Sequence, residues 1–187
     1  MGQSPKRIYA FGGGTAEGSG KDVELLGGKG AGLAQMSRLG IPVPPGFTIT
    51  TEACRVYHAN GSAYPEGFHE ELRQQLTQLE ELQGKRFGDH QDPLLLSVRS
   101  GGPVSMPGMM DTVLNLGLND EIIDAQLEAG LDARFLRDCY RRLLTMYGDV
   151  VLGVPHAGFE KILGEVRVRE GANYDSEISS DGLGEVI

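Results

Sequence analysis

Arg99 stands directly after an apolar run, Leu94 to Val98, and directly before SGGPVSMPGMM, Ser100 to Met110, after which apolar residues resume at Val113 and Leu114. A guanidinium is permanently charged and forked, which suits the oxygens of a phosphate. Paired glycines such as Gly101 and Gly102 let backbone N–H groups approach a ligand closely. The hydroxyls of Ser100, Ser105 and Thr112 can bond phosphate oxygens. Together these are the parts of an anion site. Each also has a structural reading: Asp111 can pair with Arg99, the hydroxyls can cap turns, and Met106, Met109 and Met110 suit packing.

A second cationic candidate is Lys29 within Gly27-Gly28-Lys29-Gly30, where a glycine turn opens a helical pattern. Backbone N–H groups and an ammonium can converge on an anion there, although a tight turn with a solvated lysine has the same local pattern. Two familiar phosphate motifs fail. GSGKD, Gly18 to Asp22, carries Thr15 where a P-loop needs its first glycine and Asp22 where it needs Ser or Thr. GGKGAG, Gly27 to Gly32, has Leu33 at the last glycine position of a dinucleotide fingerprint. His58, His69, His90 and His156 show no metal-ligand spacing and no nucleophile pattern. Glu70, Glu71, Glu80 and Glu81 read as the solvated face of a polar helix.

The elements that must hold these residues follow from periodicity. Arg7 to Phe11 predicts a strand, and the glycine-rich turn Gly12 to Gly20 closes a hairpin onto Val23 to Leu26. Leu33, Met36 and Leu39 predict a short amphipathic helix from Lys29 that stops at Gly40. Phe47 to Thr50 predicts a strand leading to a Thr51 cap and a helix through Tyr57, and Glu66 to Gln83 a polar helix. Leu94 to Val98 predicts a short buried strand. Helices follow at Asp120 to Glu128, Asp132 to Val151 and Pro155 to Arg169. The second of these has Phe135, Leu136, Tyr140, Leu143, Leu144 and Tyr147 on its core face. EGANYDSEISSDGLGEVI, the last stretch, is polar and lacks sustained periodicity.

Composition sets bounds. The chain of 187 residues, 40% hydrophobic and 23% charged, is ordinary for a globular domain. A net charge of -9 argues against a general nucleic-acid or anionic-membrane binder, so an anionic ligand must meet a local basic pocket. The two cysteines, Cys54 and Cys139, form no CxxC pair, and no apolar run reaches the ~18 residues of a membrane span. The cytoplasm is the expected location. The 28 glycines cluster around residues 12 to 46 and 101 to 117, as loops that track a ligand or as turns between short elements.

LLGGKGAGLAQMSRLGIPVPPGFTITTEAC, together with DPLLLSVRSGGPVSMPGMMDTVLNLGLND and DCYRRLLTMYGDVVLGVPHAGFEKIL, resembles the N-terminal region of the pyruvate phosphate dikinases. The resemblance covers nearly the whole chain from Ile8, least in the last stretch. Phosphoenolpyruvate synthases and glucan water dikinases share the glycine-lysine helix start and the arginine strand. The resemblance implies an α+β fold, the first part of an ATP-grasp-like nucleotide-binding domain, with a short mixed sheet, flanking helices and a helical C-terminal part. Its implied divisions are a mixed lobe over 1–118, a helical segment over 119–170 and a polar tail over 171–187.

The family converts ATP, phosphate and pyruvate into AMP, diphosphate and phosphoenolpyruvate with magnesium, through a phosphohistidine on a swivelling domain. The resemblance gives Lys29 and Arg99 to the ATP site, with Gly101, Gly102 and Ser105 in the loop beside the phosphates. Gly32 replaces a usual asparagine and Gln35 a usual glutamate. The second lobe with the magnesium ligands, the phosphohistidine domain and the pyruvate-binding barrel are expected beyond Ile187, and none of the four histidines matches the phosphocarrier motif. Expected partners are therefore ATP and the remaining dikinase domains, with homodimers only in a full-length enzyme. This chain alone is expected to be inactive and to bind Mg-ATP weakly or not at all. The alternatives are a stand-alone nucleotide-binding or regulatory module and a piece of a phosphoenolpyruvate synthase-type phosphotransferase.

Overall fold

The computed structural model describes residues 5–101 and 112–187. Gly102, Ser105, the methionines of the loop and Asp111 lie outside the described residues. The chain divides into two units, one of residues 5–84 with 100–101, the other of residues 85–99 with 112–187. The chain is a mixed α and β chain as expected, but the sheets among the described residues are small and antiparallel, not the expected mixed sheet.

In the first unit β1 (Ile8–Gly12), β2 (Thr15–Ala16) and β3 (Gly46–Ile49) form a sheet in the order β2-β1-β3. The hairpin from β1 closes onto Thr15–Ala16, not onto Val23 to Leu26. Gly13 and Gly14 both have positive φ, 61° and 80°, which is what a two-residue turn matched to strand twist requires. Val23 instead begins α1 (Val23–Arg38). The Asp22 carboxylate accepts from the N–H and the hydroxyl of Ser19, at 2.7 and 2.9 Å, and so forms the turn that leads into this helix.

The buried side of α1 is also not the expected one. Met36 and Leu39 are exposed, and Leu26, Gly27, Gly30, Ala31, Ala34 and Ser37 are buried. Small residues let the helix lie close to the sheet: a Cβ at Gly30 would fall 2.6 Å from Thr48 Cγ2. Leu26, Ala31 and Ala34 pack with Tyr9 and Ala16 to form one core. Ile8, the neighbour of Tyr9 and so on the other face of β1, packs with Ala53, Phe68, Phe47 and Leu72 in a second core. That core draws on α2 (Thr51–Ala59) and α3 (Phe68–Gln83). Thr50, one residue before the expected cap, is the N-cap of α2, its hydroxyl accepting from the Ala53 N–H at 3.2 Å. Thr51 donates to the Glu24 carbonyl at 2.6 Å. Glu71 is not a merely solvated acid, since its carboxylate accepts the N–H groups of Arg7 and Ile8, each at 2.8 Å.

The second unit starts with a two-stranded ribbon, β4 (Leu96–Arg99) antiparallel to β5 (Thr112–Leu116). β4 begins two residues later than expected. Leu94 is buried, but Val98 is half exposed, since among the described residues the ribbon has only two strands. Three helices follow at the expected places: α4 (Asp120–Glu128), α5 (Ala133–Val150) and α6 (His156–Glu170). Leu136, Tyr140 and Leu143 of α5 join Val113, Leu118, Ile122 and Ile123 in the core. Phe135 and Tyr147 lie off that stripe and are exposed, unlike the expectation. The last stretch folds: a 3-10 turn, Asp175–Glu177, precedes α7 (Ser180–Val186). Ile178 and Leu183 are fully buried against Leu163 and Val166 of α6. Arg134 donates to the carbonyls of Ile178 and Asp175, and Arg137 to that of Ser180, tying this segment to α5.

Candidate functional site

Lys29 owes its place to an interruption in α1. Gly27 has φ 69° and ψ 166°, outside the helical region, so the helix resumes at Gly28 with Lys29 in its new first turn. Only glycine takes that conformation without a Cβ penalty. The glycine turn thus opens a helix as expected, but it follows one turn of helix and not a strand. The Lys29 ammonium donates to the Ser100 carbonyl. A Cβ at Gly101 would sit 3.5 Å from Lys29 Cδ, in ordinary contact. Lys29 and the start of the loop after Arg99 are therefore brought together within the first unit. An ammonium has three donors, and this bond uses one.

The two departures in this region differ in their surroundings. A Cβ at Gly32 would meet nothing within 4 Å, so glycine there is no packing requirement. Gln35 accepts from the Gly20 N–H at 3.3 Å, a bond that ties α1 to the loop before it.

Arg99 is the last residue of β4, paired with Thr112, and it is exposed. Gly101 is described, whereas Gly102 and Ser105 are not, and Asp111, the alternative partner of Arg99, lies outside the described residues as well. Among the described residues no three His, Cys, Asp or Glu side chains are grouped to hold a metal ion. No helix among them is long and apolar enough to cross a membrane.

The ribbon that carries Arg99 is anchored by groups to which the sequence reading gave no role. Asn115, inside β5, has a positive φ of 58°, and its side-chain amide donates to the Cys139 carbonyl of α5 at 3.0 Å. Asparagine is among the few non-glycine residues that visit this region readily. Gly117 follows with φ 121°, and a Cβ there would fall 2.7 Å from the Leu94 carbonyl oxygen. The Asn-Leu-Gly spacing within an apolar run was the available signal that strand alternation breaks here. Burial pushes the neighbouring Cys139 thiol up, with the Asp138 carboxylate adding to the effect and Arg142 opposing it. Asp138 itself is pushed up by burial, but Arg141 and Arg142 outweigh this and hold it below the usual carboxylate range. Tyr140 donates to Asp120 at 2.7 Å; burial, and then this carboxylate, push its phenol up to about 12.

A family model described as "Pyruvate phosphate dikinase, AMP/ATP-binding domain" matches residues 23–64, which include Lys29. The chain is 54% identical to pyruvate, phosphate dikinase of Rhizobium meliloti over 175 residues, 94% of this chain and 20% of that protein. It is 50% identical to the chloroplastic pyruvate, phosphate dikinase 1 of Oryza sativa over 182 residues, covering 97% of this chain and 19% of the relative. Pyruvate, phosphate dikinase 2 of Zea mays is 49% identical over 186 residues, or 100% of this chain and 21% of the relative. The chain thus spans about a fifth of the length of these curated relatives. By sequence, it belongs with the pyruvate phosphate dikinases, corresponding to about a fifth of such a protein and carrying a match to their AMP/ATP-binding domain.

Proposed function

We propose that this chain is the ATP-binding part of a pyruvate phosphate dikinase, of ATP-grasp type, and that Lys29, Arg99, Gly101, Gly102 and Ser105 engage the nucleotide phosphates. The observation that carries the reading is the Lys29 ammonium at the Ser100 carbonyl, one residue after Arg99, within a segment whose relatives are dikinases. Arg99 supplies a forked pair of donors to two phosphate oxygens, and Lys29 a mobile point charge. Glycines such as Gly101 and Gly102 have no side chain to keep a phosphate from their N–H groups, and Ser105 brings a hydroxyl. Phosphoryl transfer is catalysed largely by such positioning and by neutralising charge that develops on the phosphoryl oxygens.

In the whole enzyme the reaction is ATP, phosphate and pyruvate to AMP, diphosphate and phosphoenolpyruvate, with a phosphohistidine carried on another domain. By the resemblance to the dikinases, the magnesium ligands are assigned to the second nucleotide-binding lobe of the whole enzyme. The partners are ATP and the remaining dikinase domains.

The test is a titration of the 187-residue chain with Mg-ATP, followed by backbone amide NMR shifts. Weak but saturable shifts centred on Lys29, Arg99 and Gly101 are expected, and they saturate only at much higher Mg-ATP in Arg99→Ala. Shifts that do not saturate, or that centre elsewhere, contradict the reading. In a chimera where this chain replaces the matching fifth of the Rhizobium meliloti relative, Arg99→Ala is expected to abolish ATP-dependent histidine phosphorylation.

A further inference from the structure

The pairing of β4 with β5 changes step partway along. Leu96 lies opposite Leu116, yet Val98 lies opposite Val113 and Arg99 opposite Thr112. Between the first two pairs β4 contributes one residue, Ser97, and β5 contributes two, Leu114 and Asn115. This is a β-bulge with its extra residue in β5. In a regular strand Val113 and Leu116, three apart, would point to opposite faces. With the bulge, both pack into the core beside Ile122, Leu136 and Tyr140. Without it, a ribbon that kept Leu96 opposite Leu116 would place Arg99 opposite Val113, one residue out of register.

The residue in the bulge with left-handed backbone is Asn115, which is also the one bonded to α5. We propose that Asn115 is a positioning residue for Arg99: its backbone and its amide clip to the Cys139 carbonyl hold the β5 bulge that sets Arg99 opposite Thr112. The bearing on nucleotide binding rests on the reading of Arg99 as a phosphate ligand. One step of register along a strand is about 3.3 Å. A displacement of even about 1 Å in a positioning group can cost two orders of magnitude in rate. A slip of this size would therefore take Arg99 out of reach of a phosphate held elsewhere. Gly117 suits the same geometry, since a side chain there would meet the Leu94 carbonyl oxygen. The Leu118 N–H closes the turn on the Asn115 carbonyl at 3.2 Å.

The experiment compares Asn115→Val, Asn115→Ala and Asn115→Gly in the 187-residue chain. Valine disfavours positive φ strongly, alanine moderately, and glycine not at all. The register is read from cross-strand NOE contacts between Arg99 and Thr112, and Mg-ATP affinity from amide shifts. Asn115→Val is expected to lose the contacts and on the order of tenfold in affinity. Asn115→Ala should lose less of each, and Asn115→Gly, which keeps the positive φ but lacks the amide clip, should lose least. In an Arg99→Ala background the valine variant should cause no further loss of affinity. If the valine variant does not fold, the alanine and glycine variants give the same comparison. Unchanged Arg99–Thr112 contacts in Asn115→Val and Asn115→Ala overturn the proposal, as does an undiminished affinity loss in the Arg99→Ala background. If Arg99→Ala alone leaves ATP shifts unchanged, the phosphate-ligand reading fails, while the NOE comparison still decides whether Asn115 sets the register.

Discussion

One oxygen of the Glu71 carboxylate accepts two successive backbone N–H groups, those of Arg7 and Ile8, and so joins α3 to the start of β1. Ile8 is fully buried, so water cannot readily replace this acceptor. Glu71→Ala is expected to cost about 2 kcal/mol, because it strands a buried donor. Glu71→Gln keeps a carbonyl oxygen in place and should cost clearly less, since only the charge assistance is lost. Urea unfolding midpoints at constant slope measure the difference.

Gly30→Ala sets two effects against each other. Alanine favours a helix interior over glycine by about 1 kcal/mol. The added Cβ, however, would meet Thr48 Cγ2 at 2.6 Å and Thr48 Oγ1 at 2.9 Å, both on a short side chain that cannot swing far. Overpacking of this kind costs about 1–3 kcal/mol, so the substitution should destabilise. Thr48→Ala removes both obstructing atoms, and the double variant should be more stable than the sum of the two single changes implies. A double-mutant cycle on thermal midpoints reads the coupling.

Tyr140 gives the second unit an alkaline limit. Its phenol rises from 10.0 in the unfolded chain to about 12 in the fold, by burial first and the Asp120 carboxylate second. The protonated, donating hydroxyl contributes fully below pH 10, and this contribution is lost as pH rises towards 12. Tyr140→Phe should cost about 1 kcal/mol at neutral pH and flatten the fall in stability over that window. Paired denaturation series across the alkaline range test the sign.

Leu183 is fully buried in the core it forms with Leu163, Val166 and Ile178. Leu183→Ala is expected to cost about 3 kcal/mol. Arg134→Ala, which removes the donor to the Ile178 and Asp175 carbonyls, should increase hydrogen exchange in residues 175–186 before it affects α4.

Helix existence was legible where apolar periodicity was clear: α4, α5 and α6 lie where it puts them. Small residues misled the reading of α1. Leu33, Met36 and Leu39 carry the hydropathy, but Gly30, Ala31 and Ala34 make the close contact, because proximity to a sheet rewards a missing side chain as much as a large one. The last stretch looked structureless because two residues, Ile178 and Leu183, provide most of its burial, too few to show a period. Lys29 was legible as a cation at a helix start, but its meeting with Ser100 spans 71 positions, and no local pattern encodes that. The clip from Asn115 was invisible for the same reason, though its Asn-Leu-Gly spacing hinted at a break.

The arginine straps on α7 bear on the order in which the chain acquires structure. Arg134 waits 44 residues for the Ile178 carbonyl and Arg137 waits 43 for that of Ser180. Local helices can form within microseconds, whereas a closure of this span carries a larger entropic cost and comes late. On a ribosome, α5 and α6 would emerge before Ile178 and Leu183, and Leu163 and Val166 would stay uncovered until residues 175–186 have cleared the exit tunnel. The nascent second unit is thus sticky for longer than its short helices suggest, and chaperone contact during synthesis should concentrate on Leu163 and Val166.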